Sequence, residues 1–225
     1  MKLNCHENIR TGHGLEMGSP MSDKALAGGC LAVWLWSGWH PHEFSTWMIE
    51  QVATLLAIAV LWWLGHRTTF SFASKVCITT LFCVHTIGTH YTYSLTPYNE
   101  LFDSLLSSSP NTWFGWERNH YDRFVHFSYG ALLALPIVEA IRSRLPVSMN
   151  CAGFLMVQLV LSSSALYELM EWSAALMFGG ELGTAYLGTQ GDPWDAQADI
   201  ALALAGSLLA LAIVRSAAKP ICVRG

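Results

Sequence analysis

The chain has 225 residues, 52% hydrophobic and 12% charged, with a mean hydropathy of +0.35; that charged share is roughly half of what a soluble domain carries. With 12 Lys and Arg against 16 Asp and Glu, a formal charge of −4, no basic surface exists to hold a phosphate backbone. Nucleic acid is excluded as a partner and so is a disordered chain; the partner that the composition implies is the lipid bilayer.

Residues 1–24 form a polar N-terminal tail. Further methionines stand at Met17 and Met21, and a start at Met21 would read M-S-D-K directly before the first apolar stretch, so the first 20 residues are expected to be dispensable. From Ala25 onward, windows of about 20 residues, the length that crosses a hydrocarbon core, give six apolar stretches. They are 25–39, which is short for a span, 44–64, 70–88, 121–141, 149–178 and 194–214. In lipid each segment must satisfy its own backbone, so the expected fold is all-α, a polytopic transmembrane helical bundle of about six spans. It forms a single domain over 25–215, followed by a C-terminal tail over 216–225.

The basic residues set the expected orientation. With the N-terminus cytoplasmic, Lys2, Arg10, Lys24, Arg67, Arg142, Arg144, Arg215, Lys219 and Arg224 fall inside, nine of the twelve. Lys75 snorkels at the inner end of the third stretch, and only Arg118 and Arg123 lie outside. Both termini are therefore expected in the cytoplasm. The six cysteines lie in spans or tails, and no outer-loop pair is present to form a structural disulfide.

Ionisable residues inside a membrane are costly and mark functional sites or partnered groups. Here they gather at one end of four stretches. The third closes on G-T-H-Y-T-Y, with His85 in the helix and His90, Tyr91 and Tyr93 at its mouth. The fourth opens on N-H-Y-D-R-F-V-H-F, which puts Asp122 and His126 on one helical face. The fifth ends in Y-E-L-M-E-W, with Glu168 and Glu171 similarly paired. A loop G-T-Q-G-D-P-W-D-A-Q-A-D then brings Gln190, Asp192, Asp195 and Asp199 to the start of the sixth. Glu50 in the second stretch sits at comparable depth. Under the expected topology this is a polar cup opening outward, ringed by Trp39, Trp47, Trp113, Trp116, Trp172 and Trp194.

Imidazole and carboxylate at i,i+3 and i,i+4 spacing is how helical bundles hold a divalent metal such as Zn, Mn or Fe. The expected ligands are His90, Asp122, His126 and Asp199, with Glu168 a further candidate. Glu168, Glu171 and Asp195 are the expected acid and base groups, and His85, Tyr91, Arg123, Gln190 and Asp192 are further site candidates. Simpler roles compete. Asp122 can cap its helix or pair with Arg123, Asp192 can cap the sixth helix, and Arg118 and Arg123 can turn the cluster into an ion-pair lock. Glu139 is expected to pair with Arg142 at the inner end. The glycines of 188–192 suit an anion nest or an ordinary turn, and Gly130 and Gly206 suit close helix packing.

The string H-Y-T-Y, N-H-Y-D-R-x-x-H-F, Y-E-x-x-E-W and G-T-Q-G-D-x-W-D-x-Q-x-D, in that order, resembles the YjdF-type family of bacterial inner-membrane proteins over about residues 25 to 215. The resemblance implies a multi-spanning protein of the bacterial inner (plasma) membrane, which would set the outward cup toward the periplasm; it brings no assigned reaction with it, and leaves residues 1–22 as an extension. Asp122, His126 and Phe127 also match the Asp-x-x-x-His-Phe fragment of VanZ-like membrane proteins, though Arg123 stands where those carry Lys. Three functions follow as expectations. One is metal-dependent hydrolysis or group transfer on a lipid or lipid-linked envelope substrate. The others are a proton- or ion-coupled transporter using the same carboxylates, and a structural or accessory protein with an ion-pair cluster.

Overall fold

The computed structural model describes residues 19–66, 68–180, 183 and 187–217. The expectations on residues 1–18, including a dispensable tail, and on Arg67, Lys219 and Arg224 lie outside the described residues. Eight helices are described: α1 (Pro20–Ser37), α2 (Phe44–Gly65), α3 (Phe72–His90), α4 (Tyr98–Leu106), α5 (Pro110–Phe114), α6 (Tyr121–Arg144), α7 (Met149–Phe178) and α8 (Asp195–Ala217). No strand occurs among the described residues. Three of the long helices start on a serine cap. The side chains of Ser19, Ser71 and Ser148 accept from the N–H groups of Ser22, Ser74 and Cys151, each at 3.2 Å, which satisfies one of the open donors of the first turn.

Among the described residues five helices, α2, α3, α6, α7 and α8, are long and apolar enough to cross a membrane. Their outer faces are those of lipid-exposed helices: along α2, Val52, Leu55, Leu56 and Ile58 are exposed although apolar. α7, at 30 residues, extends about 45 Å against a core of about 30 Å, so it tilts or emerges from the hydrocarbon. α1 is not one of the five, yet it runs beside α3 for its whole length and in the same direction. Asp23 pairs with Lys75 at 2.6 Å where both helices begin, and His90 Nδ1 meets the Ser37 carbonyl oxygen at 2.9 Å where both end.

The two ends of the bundle differ chemically. One holds Lys24, Lys75, Arg142, Arg144 and Arg215, and is called the basic end below. There Arg144 Nη2 donates to the Leu64 carbonyl at 3.0 Å and its guanidinium stacks on Trp63, tying α6 to α2. Glu139 does not take the expected partner; its carboxylate accepts from the Ser71 N–H at 3.0 Å. The Ser71 N–H, buried at the start of α3, is a fixed donor that needs no long side chain to be ordered.

The apolar core, made of Ala134, Val138, Met149, Ala152, Met156, Val160, Ala203 and Leu211, lies between α6, α7 and α8 toward the basic end. α6 and α8 pack closest of all, through glycine. A Cβ on Gly130 would stand 1.9 Å from the Ala203 carbonyl oxygen, and one on Gly206 would stand 2.2 Å from that of Phe127. This backbone contact brings the first turns of α6 and α8, with their acidic and His residues, side by side at the opposite end.

Candidate functional site

The site is assembled at the end opposite the basic residues, from one turn each of α6, α7 and α8. Asp122 and His126 share a face of α6, and Asp199 faces them from α8; one ligand atom of each lies within 4.8 Å of the others. From α7, Glu168 Oε1 approaches His126 Nε2 to 3.3 Å, while Asp122 Oδ1 stands 3.7 Å from the same nitrogen. Asp199 is only 2% exposed. Its Oδ1 and Glu168 Oε1 are buried without a hydrogen-bond donor, the Glu168 contact to His126 lacking the alignment of a hydrogen bond. Carboxylate oxygens in this state are expensive unless a cation or proton joins them. Glu171, one turn on in α7, is also buried beside Glu168.

Above this cluster, toward the surface, lies a knot of ion pairs between the two loops that enter α6 and α8. Arg118 Nη1 donates to Asp195 Oδ1 at 2.7 Å and reaches Asp192 Oδ2 at 3.4 Å. Arg123 Nη2 pairs with Asp192 and approaches Asp195 Oδ1 at 3.3 Å. Asp192 also caps locally, its Oδ1 accepting from the Trp194 N–H at 2.9 Å. That backbone bond and the Arg123 guanidinium hold its carboxyl below the ordinary carboxylate range. Gln190 closes the same seam: its Oε1 accepts from the Asn119 N–H and its Nε2 donates to the Asn119 carbonyl, both at 2.9 Å. A cleft of about 560 Å³ opens here, lined by Trp116, Arg118, His120, Gln190 and Asp192 among others. Partial burial, with Arg123 and Arg118 nearby, lowers the His120 pKa.

A second polar set lies behind the cluster, between α2, α3 and α7. The Thr54 hydroxyl donates to the Glu50 carbonyl at 3.0 Å, so its oxygen accepts from His85 Nε2 at 2.8 Å; this leaves Nδ1 to accept from the Tyr93 hydroxyl at 2.6 Å. Tyr93 is buried, which with the carboxylates of Glu50, Asp122 and Glu171 nearby keeps its phenol far from ionising. Glu50 is 1% exposed and its Oε2 accepts from the Tyr167 hydroxyl at 2.9 Å.

The structure thus brings Asp122, His126 and Asp199 together with Glu168 and Glu171, and places Arg123, Gln190, Asp192 and Asp195 in the knot above. His85 joins the second polar set. His90 and Tyr91 are not brought to the cluster: the His90 ring stacks on Trp36 at 4.4 Å with Nδ1 spent on Ser37, and Tyr91 packs edge-on against His90 at 4.6 Å. Arg118, which the sequence offered only as a partner in an ion-pair lock, and Tyr93, placed only at the mouth, both take part; Thr54 and Tyr167 are the participants that the motifs did not single out. The one available signal was Glu50 itself, a lone carboxylate inside the apolar α2 that needs a donor from another helix.

Sequence comparison places these residues in a family. The group described as "Predicted membrane protein (DUF2238)" matches residues 23–219, which takes in every site residue above. The inner membrane protein YjdF of Escherichia coli (strain K12) is 32% identical over 179 residues, covering 77% of this chain and 79% of that protein. No solved structure matches.

Proposed function

The chain belongs to the DUF2238 family of membrane proteins, and on that premise we propose that it is a metal-supported enzyme of the inner membrane. Its reaction is hydrolysis or group transfer on a lipid or lipid-linked substrate. The observation that carries this reading is the trio Asp122, His126 and Asp199, the last two buried, with Asp199 Oδ1 and Glu168 Oε1 lacking donors. Two carboxylates and one imidazole, with Glu168 within reach as a fourth ligand, suit Zn²⁺, Mn²⁺ or Fe²⁺. A cation there would supply a Lewis acid and a more acidic bound water.

The chain's own groups divide the remaining work. Glu168 and Glu171 are placed to take and return a proton beside the trio. Asp195, spent on Arg118 and Arg123, positions the loop that covers the cluster. The cleft at Trp116, Arg118 and His120 is the entrance. Six spans, counting α1, with both termini cytoplasmic put this entrance in the periplasm, in keeping with the basic residues at the opposite end. The apolar layer between α6, α7 and α8 below the cluster favours a site closed on the cytoplasmic side over a transport path.

The test is metal content. Protein purified in mild detergent is assayed by elemental mass spectrometry beside His126→Ala and Asp199→Asn, each checked for an unchanged oligomer profile and unfolding temperature. Near-stoichiometric metal in the wild type, lost in both variants, is expected. Wild type that is metal-free and cannot be reloaded overturns the proposal and leaves a polar cluster that locks the bundle.

A further inference from the structure

The segment between α3 and α6 carries a surface that the site does not use. α4 repeats apolar side chains at Tyr98, Leu101, Phe102, Leu105 and Leu106, the i, i+3, i+4, i+7, i+8 spacing of an amphipathic helix, with Asn99, Glu100, Asp103 and Ser104 opposite. Leu101, Leu105 and Leu106 are 57%, 71% and 60% exposed, and Trp113 and Phe114 of α5 are exposed beside them. The helix that α4 packs against most is α5, and no described element covers this face.

The segment is firmly built. The Tyr98 hydroxyl donates to Asn111 Oδ1 at 2.6 Å and accepts from the His120 N–H at 2.9 Å. Asn111 Nδ2 donates to the Arg118 carbonyl at 2.9 Å, and Asn119 Nδ2 donates to the Thr96 carbonyl at 2.8 Å. Large apolar side chains held outward on a fixed frame mark a surface that something covers. What covers it follows from continuity. The segment leaves α3 and enters α6 at the site end, where the lipid-facing surfaces of the spans finish and Trp39, Trp172 and Trp194 are exposed. At nine residues, about 14 Å, α4 is too short to cross but suits the plane of the interface.

We propose that α4 and α5 form an in-plane membrane element, with Leu101, Leu105, Leu106, Trp113 and Phe114 seated in the boundary between headgroups and acyl chains at the site end. Because Asn111 and Tyr98 tie this element to Arg118 and His120, it holds the mouth of the cleft at headgroup level. This last consequence rests on the cleft being the entrance to the cluster. An amphiphile then enters sideways from that leaflet, its polar part reaching Arg118 and His120 first. The polar face of α4 carries Glu100 and Asp103 and no Lys or Arg, so seating depends on apolar burial and not on anionic lipid.

The experiment is spin-label accessibility on the full chain in vesicles of phosphatidylethanolamine and phosphatidylglycerol. Single cysteines are placed at Leu101, Leu105, Glu100 and Asp103 in a chain whose native cysteines are replaced. Labels at the two leucines should show an oxygen-to-nickel-chelate accessibility ratio several-fold above those at Glu100 and Asp103, unchanged when phosphatidylglycerol is omitted. A second measurement keeps the native cysteines: the fluorescence lost in Trp113→Phe should be quenched more by lipids brominated near the headgroup end of the chain than near its methyl end. Nickel access at all four positions, or leucine labels shielded from both reagents by a second copy, overturns the proposal. Neither readout depends on metal, so its failure is separable from that of the cluster.

Discussion

A methyl group on Gly130 would stand 1.9 Å from the Ala203 carbonyl oxygen, inside any tolerable contact, and the obstacle is backbone that cannot rotate away. The spacing of α6 and α8, and through it the meeting of Asp122 and His126 with Asp199, depends on that absent side chain. Gly130→Ala is expected to destabilise the protein by about 3 kcal/mol and to separate the trio. Gly28→Ala in α1, where an added Cβ meets nothing within 4 Å, should be neutral or favourable by up to about 1 kcal/mol. Unfolding in detergent and metal stoichiometry for the two variants check this; equal behaviour would show that the helices can part without cost.

Asp195 is 4% exposed and takes its strongest contact, 2.7 Å, from Arg118. Removing Arg118 leaves the buried carboxylate with only the longer Arg123 contact of 3.3 Å, so Arg118→Ala should cost about 2 to 3 kcal/mol, and the double change with Asp195→Ala less than the sum of the two. Thermal unfolding of the four proteins closes the cycle. Additive losses would mean that Arg123 alone neutralises Asp195.

Much of the architecture is legible in the sequence because lipid imposes a single demand on length and apolarity. The stretch 149–178 coincides with α7, and 44–64 stops one residue short of α2. The trio was legible for a related reason: i,i+4 pairs fix a face without knowledge of the neighbour. His90 shows where this ends. It follows the same run as His85, but α3 closes beside α1, and Trp36 and the Ser37 carbonyl claim the ring. The regular apolar spacing of α4 is not visible at the scale of spans of about 20 residues, because the helix has only nine. Arg118 and Glu50 needed partners 77 and 117 residues distant, Asp195 and Tyr167, which no local pattern supplies.

Glu50 bears on stability directly. Tyr167 is the donor on its Oε2, and Tyr167→Phe would leave a fully buried carboxyl oxygen unmet, at a cost of about 1 to 3 kcal/mol. Combining it with Glu50→Leu should recover part of the loss, since both polar groups then leave together. Unfolding midpoints for the single and double variants decide it; a double variant worse than the sum would mean that Glu50 has a further essential partner.

Asp192 gives the pH dependence of the knot a definite sign. Its carboxyl is held below the ordinary range by the Trp194 N–H and by Arg123. The folded value lies under the unfolded one of about 3.9, so its contribution is complete above that pH and is lost as pH falls through the folded value. The stability difference between wild type and Asp192→Ala should therefore be constant from pH 8 to about pH 5 and shrink below about pH 4. Unfolding temperatures measured across this range test it. A difference that changes from about pH 7 downward, above the range of Asp192, would point to His120 in the same cleft, whose value is lowered from the ordinary one of about 6.5.

The fate of α1 decides the topology. A helix tied to α3 at both ends, by Asp23 to Lys75 and by Ser37 to His90, covers the same depth as α3. α1 has 18 residues and α3 has 19, so if α3 crosses, α1 crosses with it in the same direction. The two are then separated by α2 running back, six spans result, and the termini share a side. Reporter fusions before Met1, between Gly38 and Glu43, and after Gly225, using one enzyme active only in the periplasm and a fluorescent protein active only in the cytoplasm, should read cytoplasm, periplasm and cytoplasm. A periplasmic reading before Met1 with a cytoplasmic one after Gly225 would mean that α1 lies along the surface. The Asp23 to Lys75 pair would then have to break in the membrane, and Asp23→Ala would leave stability unchanged.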